Sequence, residues 1–216
     1  MKGLLCKDWA ILVNSYKKNF LIMVVLYLGM AVCLHMDYLC YALVAVCGVY
    51  ASSTMNFDDF AHWDTYARTL PVTPGQVVGC KYLLGLLLTL FGSVCAAVGI
   101  FLAGQYTDVL EAAFSILVIA AFSLLLFAVN MPFSYKFGAV RAGTWVYLVT
   151  FFGVFLIIFA MEHLPYLQRS SVISQLALGN ALTAQPVLLL LPCAAVLLLY
   201  LGSWALSVQI YQRKEF

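Results

Sequence analysis

Charged residues are scarce in this chain. Only 9% of its 216 residues are Asp, Glu, Lys or Arg, whereas 65% are hydrophobic, and the mean hydropathy is +1.01. Soluble domains are about half apolar and about one quarter charged, so this composition excludes a soluble globular protein. The formal net charge is only +2. We attribute this small excess to membrane topology and expect no nucleic-acid partner.

Motifs for catalysis and nucleotide binding are also missing. The chain contains no HExxH and no GxSxG, and GQVVGCKY (75–82) lacks the GK[ST] order of a phosphate loop. The seven cysteines show no CxxC spacing. Asp58 and His62 are spaced i, i+4 and could share a metal on a helix face, but a solvated face explains the pair more simply. We therefore expect no enzymatic activity, no bound cofactor and no metal.

Ionisable residues are missing from the predicted interior of the membrane as well. Carriers driven by protons or sodium keep such residues near the bilayer midplane, because the coupling ion must be bound there. In this chain nearly every charge lies at the edge of an apolar run or between two runs. This distribution argues against a self-sufficient ion-coupled transporter.

Long apolar runs make up most of the chain. A transmembrane helix needs about 20 mostly apolar residues, and the runs are too long for barrel strands and lack their alternation. We predict an all-α integral membrane protein with one transmembrane domain. Its six spans are predicted at residues 20–34, 38–55, 77–103, 109–131, 139–161 and 187–208.

The basic residues predict the orientation of these spans. Ten of the 11 Lys and Arg residues lie in the N-terminal segment, the second and fourth loops and the C-terminal tail, whereas the opposite loops contain only Arg169. Loops rich in Lys and Arg stay in the cytoplasm. Both termini are therefore predicted to be cytoplasmic, and residues 162–186 to form an extracellular loop of a multi-pass plasma-membrane protein.

The N-terminal segment has the pattern of a helix that lies in the membrane surface. Leu5, Trp9 and Leu12 recur at helical spacing, and Lys18 lies elsewhere around the helical wheel. Such a helix places its apolar side in the lipid and its charges in the headgroup layer. We predict an interfacial helix over residues 1–18, with a frayed terminus as the alternative.

One window concentrates the charge that the rest of the chain avoids. Residues 57–71 predict an amphipathic cytoplasmic helix that Pro71 ends, and Thr73 and Gln76 then form a capping box that begins the next helix. Such a helix, joined rigidly to a span, suits either the receipt of force from a partner or rest on the lipid surface. The candidate partner-contact residues are Asp58, Asp59, His62, Trp63, Asp64, Tyr66, Arg68, Thr69, Leu70 and Pro71.

Small residues recur in the predicted third span. Gly85, Gly92 and Gly99 are seven residues apart, and Ala96 and Ala103 lie nearby. Small side chains let the backbones of membrane helices approach closely. The pattern predicts a tightly packed helix seam, either within one subunit or between two.

WDTYARTLPVT (63–73), followed by Lys81 and Tyr82, resembles the cytoplasmic signature of small ABC-2 type permeases. It is similar in particular to the group that includes bacteriocin-type and phenol-soluble-modulin exporters. The opening MKGLLCKDW, the PFSYKFGAVRA of the fourth loop and the closing IYQRKEF agree with the same family. The resemblance therefore covers the whole chain.

The resemblance implies a membrane-spanning permease subunit of an ATP-driven ABC exporter. Residues 57–71 would be the coupling helix that docks on a separate ABC ATPase, which binds ATP and Mg, and residues 1–18 would be the elbow helix. Tyr135, Lys136 and Arg141 would add a contact from the fourth loop. Two copies, or one copy and a paralogue, would form a dimer that exports a hydrophobic or amphipathic cargo, such as an antimicrobial-type peptide, from a bacterial cell.

Three alternatives remain open from the sequence. The substrate-binding membrane subunit of a vitamin importer also has about six spans. It would need an extracellular pocket, for which the fifth loop offers only Glu162, His163, Gln168, Arg169 and Gln175. An intramembrane enzyme would need motifs that the chain lacks, and a non-transporting membrane regulator is compatible with the composition.

Overall fold

The computed structural model describes residues 2–34, 36–67, 69–103, 109–163 and 186–213. Every regular element in these ranges is a helix, which confirms the predicted all-α class. In chain order the helices are α1 (Lys2–Leu34), α2 (Asp37–Phe60), α3 (Trp63–Ala67), α4 (Pro74–Ala103), α5 (Val109–Phe137), α6 (Ala139–His163) and α7 (Pro186–Arg213).

Four helices in the described part of the chain are long and apolar enough to cross a membrane. These are Tyr38–Phe60, Pro74–Ala103, Ala112–Phe137 and Ala194–Arg213, and the bent α1 makes a fifth if its two limbs are one span. The predicted fifth span, residues 139–161, lies within α6. The total of six spans stays a prediction, and residues 164–185 of the predicted extracellular loop lie outside the described residues.

Helix α1 is sharply bent. Its first limb, Gly3–Asn14, meets its second limb, Lys18–Leu34, at 70°. The first limb buries Leu4 and Leu12 in the core and leaves Trp9 half exposed. This geometry is compatible with an interfacial helix followed by a span, although the position of the membrane surface, and so the elbow, stays a prediction.

Helix α4 contacts α1, α2, α5 and α7. Three of its glycines, Gly85, Gly92 and Gly99, lie where neighbouring helices approach closely. A Cβ atom added at Gly85 would lie 2.7 Å from the ring of Phe127, and one at Gly92 would lie 3.0 Å from the side chain of Cys47. A Cβ at Gly99 would lie 2.6 Å from Leu28. These three approaches are made within one chain, and Ala96 and Ala103 beside them are buried as well.

The amphipathic helix predicted from residue 57 onward is wrong as a continuous helix. Helix α2 extends through Phe57 to Phe60, and a turn then leads to the five-residue α3. His62 in this turn has a φ of 49°, a left-handed conformation that interrupts a right-handed helix. The last turn of α2 therefore belongs to the preceding apolar helix, and its acidic side chains have partners inside the protein.

Candidate functional site

Four charged side chains from three helices meet inside the bundle. Lys7 and Asp8 come from the first limb of α1, Asp58 from the last turns of α2, and Lys81 from the N-terminal part of α4. The side chains of Asp8 and Lys81 are each 3% exposed, that of Asp58 is 8% exposed, and that of Lys7 is 22% exposed. We call these four residues the charged joint.

The charged joint is a closed set of ion pairs. Lys81 Nζ lies 2.8 Å from Asp8 Oδ1 and 2.5 Å from Asp58 Oδ2. Lys7 Nζ lies 2.8 Å from Asp58 Oδ1 and 3.0 Å from Asp8 Oδ1. Lys81 also donates a hydrogen bond to the hydroxyl of Thr54, at 3.3 Å. Each carboxylate thus bridges two ammonium groups, and the four charges sum to zero.

The cost of burying charge decides what the joint can do. Removal of an ion from water costs several kcal/mol, and a buried pair recovers little more than this cost. The joint therefore adds little net stability over an apolar cluster of the same shape. Loss of one partner leaves an uncompensated buried charge and costs about 3–5 kcal/mol. The joint consequently makes one relative position of α1, α2 and α4 much more favourable than its neighbours.

Helix α3 is connected to the charged joint through Trp63. The ammonium of Lys7 lies 3.9 Å from the centre of the Trp63 ring, within the distance of a cation–π interaction. Trp63 also packs against the hydrophobic core, and its ring lies 5.3 Å from that of Tyr66. Lys7 therefore contacts two carboxylates of the joint and the first residue of α3 at the same time.

Tyr66 and Ala67 divide α3 into an inner and an outer side. Ala67 is only 2% exposed, whereas Tyr66 is 57% exposed. Among the described residues between positions 62 and 71, the other exposed ones are His62, Thr65, Thr69 and Pro71. We call Tyr66 and these four residues the α3 face. Leu70 is half buried between α3 and the start of α4.

One half of the predicted capping box is formed at the start of α4. The backbone N–H of Thr73 donates to the side-chain oxygen of Gln76 at 3.2 Å, and Pro74 is the first helical residue. A box of this kind satisfies donors that the helix itself leaves free. The connection from α3 into α4, and hence to Lys81, is therefore short and ordered by local hydrogen bonds.

Asp59 holds a second connection, between α2 and α6. Its Oδ2 atom accepts a hydrogen bond from the backbone N–H of Ala139 at 2.6 Å. Ala139 is the first residue of α6, where a carboxylate is favoured by the helix dipole. Gly138, which precedes it, has a φ of 88° and lets the chain turn between α5 and α6.

Hydrogen bonds also tie α7 to the helix that carries Lys81. The hydroxyl of Tyr82 lies 2.7 Å from that of Ser203 and 2.8 Å from that of Ser207. Tyr200 donates to the backbone carbonyl of Tyr82 at 2.6 Å. We call these four residues the tyrosine seam. Tyr82, the residue next to Lys81, thus links α4 to α7.

The structure separates the predicted contact residues into two groups. Asp58 is buried in the charged joint, Asp59 caps α6, and Tyr135 is 3% exposed beside Tyr211. These three side chains hold helices together. The burial of Asp58 and Tyr135 corrects their prediction as surface contacts, whereas Asp59 is partly exposed and its contact role stays a prediction. The exposed ones are His62, Tyr66, Thr69, Pro71, Lys136 and Arg141. The side chain of Asp64 and the whole of Arg68 lie outside the described part of the chain.

Packed apolar helices of membrane-spanning length define a helical, multi-pass membrane protein. The family model described as ABC-2 family transporter protein matches residues 3–212. The chain belongs to this family, which confirms the resemblance to ABC-2 type permeases. The closer likeness to peptide exporters stays a prediction. Membrane proteins of this family generally pair with an ABC ATPase. No curated protein matches the chain significantly.

Proposed function

We propose that this permease is the membrane subunit of an ATP-driven exporter and that α3 is its coupling element. The observation that carries the proposal is the position of Lys7, which contacts Trp63 of α3 and both carboxylates of the charged joint. A displacement of α3 would therefore act on α1, α2 and α4 at the same time. A surface loop at rest on lipid has no need of such a connection.

The proposed path of force begins at the α3 face. A partner ATPase that changes shape on binding ATP presses on this face and displaces Trp63. Lys7 passes the displacement to the charged joint, and the tyrosine seam carries it from α4 to α7. Because the joint strongly disfavours intermediate positions of its charges, the helices move as a group between inward-open and outward-open states.

The partner in this proposal supplies both the nucleotide and its hydrolysis. The chain has no phosphate-binding loop of its own, so ATP and Mg would bind the ATPase. Two permease copies, or one copy with a paralogue, would pair with two ATPase subunits. The exposed ring of Tyr66 on the α3 face offers the kind of aromatic contact that dominates protein interfaces.

The distribution of buried charge supports an apolar or amphipathic cargo. Among the described residues, the buried Asp, Glu, Lys and Arg side chains are Asp8, Asp58 and Lys81, all within the joint. The remaining core is apolar apart from hydroxyl and amide groups. We propose export of an antimicrobial-type peptide or a similar amphipathic molecule from a bacterial cell. Of the residues on which the vitamin-importer alternative depended, Gln168, Arg169 and Gln175 lie outside the described part.

Affinity purification of the permease at native expression level tests the proposal. We expect an ABC ATPase to co-purify and its ATP hydrolysis to rise when the permease is present in a lipid nanodisc. An unrelated multi-pass protein purified in parallel controls for non-specific capture. The proposed function would be overturned if no ATPase co-purifies, or if the rate of ATP hydrolysis is the same with and without the permease.

A further inference from the structure

An apolar cavity lies in the angle of the bent helix α1. Its volume is about 160 Å³. Both limbs of α1 contribute to its wall, together with one residue each from α2 and α4. The lining residues are Trp9, Leu12, Val13, Phe20, Leu21, Tyr50 and Leu88. We call this cavity the elbow pocket.

The elbow pocket has a buried floor and an exposed rim. Leu12 and Leu88 are less than a tenth exposed, whereas Trp9 is 54% and Leu21 is 59% exposed. The ring of Phe20 packs edge-on against that of Tyr50, with 5.2 Å between centroids, so the second limb is fixed against α2 at the pocket. The exposed side of the pocket is therefore bordered by a tryptophan and an aliphatic side chain.

The chemistry of the lining selects the occupant. Water in an apolar pocket finds almost no hydrogen-bond partners on the wall, so an apolar molecule is the favoured occupant. The floor and rim of the elbow pocket are aliphatic and aromatic. Around a protein embedded in a membrane, the apolar molecule at highest concentration is the acyl chain of a lipid.

A positive charge lies one helical turn from the rim of the pocket. Lys18 is the first residue of the second limb, its side chain is exposed, and it precedes the rim residue Leu21 by three positions. Residues three apart lie on the same side of a helix, so the charge and the apolar pocket are arranged in the order of the phosphate and the acyl chain of a phospholipid. Lysine at a membrane surface attracts anionic headgroups.

We propose that the elbow pocket binds one acyl chain of an anionic phospholipid whose phosphate lies at Lys18. The lipid fills the angle between the limbs and so supports the limb that carries Lys7 and Asp8. This inference needs only that the chain is embedded in a membrane, and it stands or falls independently of the proposed exporter function. An apolar cargo or a second copy of the chain are the occupants that the experiments below must distinguish from lipid.

Lipid retention by the full chain tests the occupant. Protein is extracted from nanodiscs that contain equal amounts of phosphatidylglycerol and phosphatidylcholine, and bound molecules are counted by native mass spectrometry. We expect one retained phosphatidylglycerol per chain in the wild type and loss of it in Val13→Phe, which fills the cavity. Val25→Phe is the matched control, because Val25 is 61% exposed on the same helix, and it should retain the lipid. Equal retention by the wild type and Val13→Phe overturns the proposal.

The headgroup is tested through Lys18. Lys18→Gln should lower the preference for phosphatidylglycerol over phosphatidylcholine about fivefold. Lys136→Gln, which removes an exposed lysine far along the chain, should leave the preference unchanged. An unchanged preference in Lys18→Gln, or retention of a peptide or a second chain in place of lipid, contradicts the assignment of a phospholipid.

A labelling experiment on unsubstituted protein covers the case in which Val13→Phe does not fold. Phosphatidylglycerol with a photoreactive acyl chain is added at low mole fraction to phosphatidylcholine nanodiscs. We expect cross-links at Trp9, Val13 and Leu21 that excess unlabelled phosphatidylglycerol suppresses. Cross-links spread evenly to outward residues such as Val94 and Val98, which are 63% and 49% exposed, would show that the pocket holds no lipid of its own.

Discussion

The Nζ atom of Lys81 in α4 lies 2.8 Å from Oδ1 of Asp8 in α1, and each of the two side chains is only 3% exposed. The residues are 73 positions apart in the chain. Their contact places the N-terminal limb of α1 against α4. The stability of this arrangement is therefore sensitive to single substitutions that remove one charge.

The first prediction concerns the balance of charge in the joint. Asp8→Leu should lower the free energy of unfolding by about 3–5 kcal/mol, because Lys7 and Lys81 then share one carboxylate in a buried site. The double variant Asp8→Leu, Lys81→Met should recover much of this loss, because it leaves the neutral pair of Lys7 and Asp58. Thermal unfolding in nanodiscs measures both variants. A shift of roughly 10 °C is expected for the single variant.

Lys136→Ala is the control for that prediction, because Lys136 is exposed and isolated surface charges contribute little to stability. If the double variant is as unstable as the sum of the two single ones, the two charges do not interact in the way that the geometry indicates.

The second prediction concerns close packing at α4. Gly85→Ala should destabilise the protein by about 1–3 kcal/mol, because the new methyl group would lie 2.7 Å from the Phe127 ring. Phe127→Leu in the same chain should restore part of the loss. Gly29→Ala, where the added atom meets nothing within 4 Å, should be neutral or slightly stabilising. Equal thermal midpoints for Gly85→Ala and Gly29→Ala would argue against the packing.

The third prediction concerns topology. Single cysteines are introduced at His62 and Arg169 in a chain without its native cysteines, and intact cells are treated with an impermeant thiol reagent. We expect labelling at position 169 and none at position 62, because ten of the 11 basic residues lie on the side predicted to be cytoplasmic. Labelling at position 62 and not at position 169 would show that the orientation is the opposite of the predicted one.

Local patterns and long-range contacts differ in how far the sequence predicts them. The helical class and the box at Thr73 and Gln76 rest on runs and spacings within one element, and the sequence shows these directly. The charged joint joins Lys7 to Asp58, 51 positions apart, and no local pattern contains that pairing. One signal was present: MKGLLCKDW places an acid beside a base among apolar residues in a chain with 9% charge. Such charges need partners.

The helical wheel misled the prediction between residues 57 and 71 for the same reason. Asp58 and Asp59 fall where a solvated face is expected, and this made a single amphipathic helix plausible. In the structure Asp58 pairs with two lysines and Asp59 caps α6. A wheel records only direction around the helix axis, so it cannot distinguish an acid that faces water from one that faces a buried partner.

The last prediction separates two roles that the sequence assigned together. Tyr66 is 57% exposed on α3, so Tyr66→Ala should weaken binding of the ATPase to the permease, by about 2 kcal/mol if it is an interface hot spot. Trp63 is turned inward to Lys7. Trp63→Ala should therefore leave most of the binding affinity intact while it abolishes transport and the stimulation of ATP hydrolysis. Trp63→Phe keeps a weaker aromatic face for Lys7 and should retain part of the stimulation.

Binding to the purified ATPase and hydrolysis in nanodiscs measure the two effects separately. Trp145→Ala is the control, because Trp145 is 68% exposed on α6 and lies outside the proposed path of force. Asp64→Lys extends the test to the residue beside Trp63 and should weaken binding if the ATPase surface is basic. Hydrolysis that stays stimulated in Trp63→Ala, or affinity that is unchanged in Tyr66→Ala, would remove α3 from the coupling path. The cation–π contact with Lys7 would then only anchor the turn between α2 and α4.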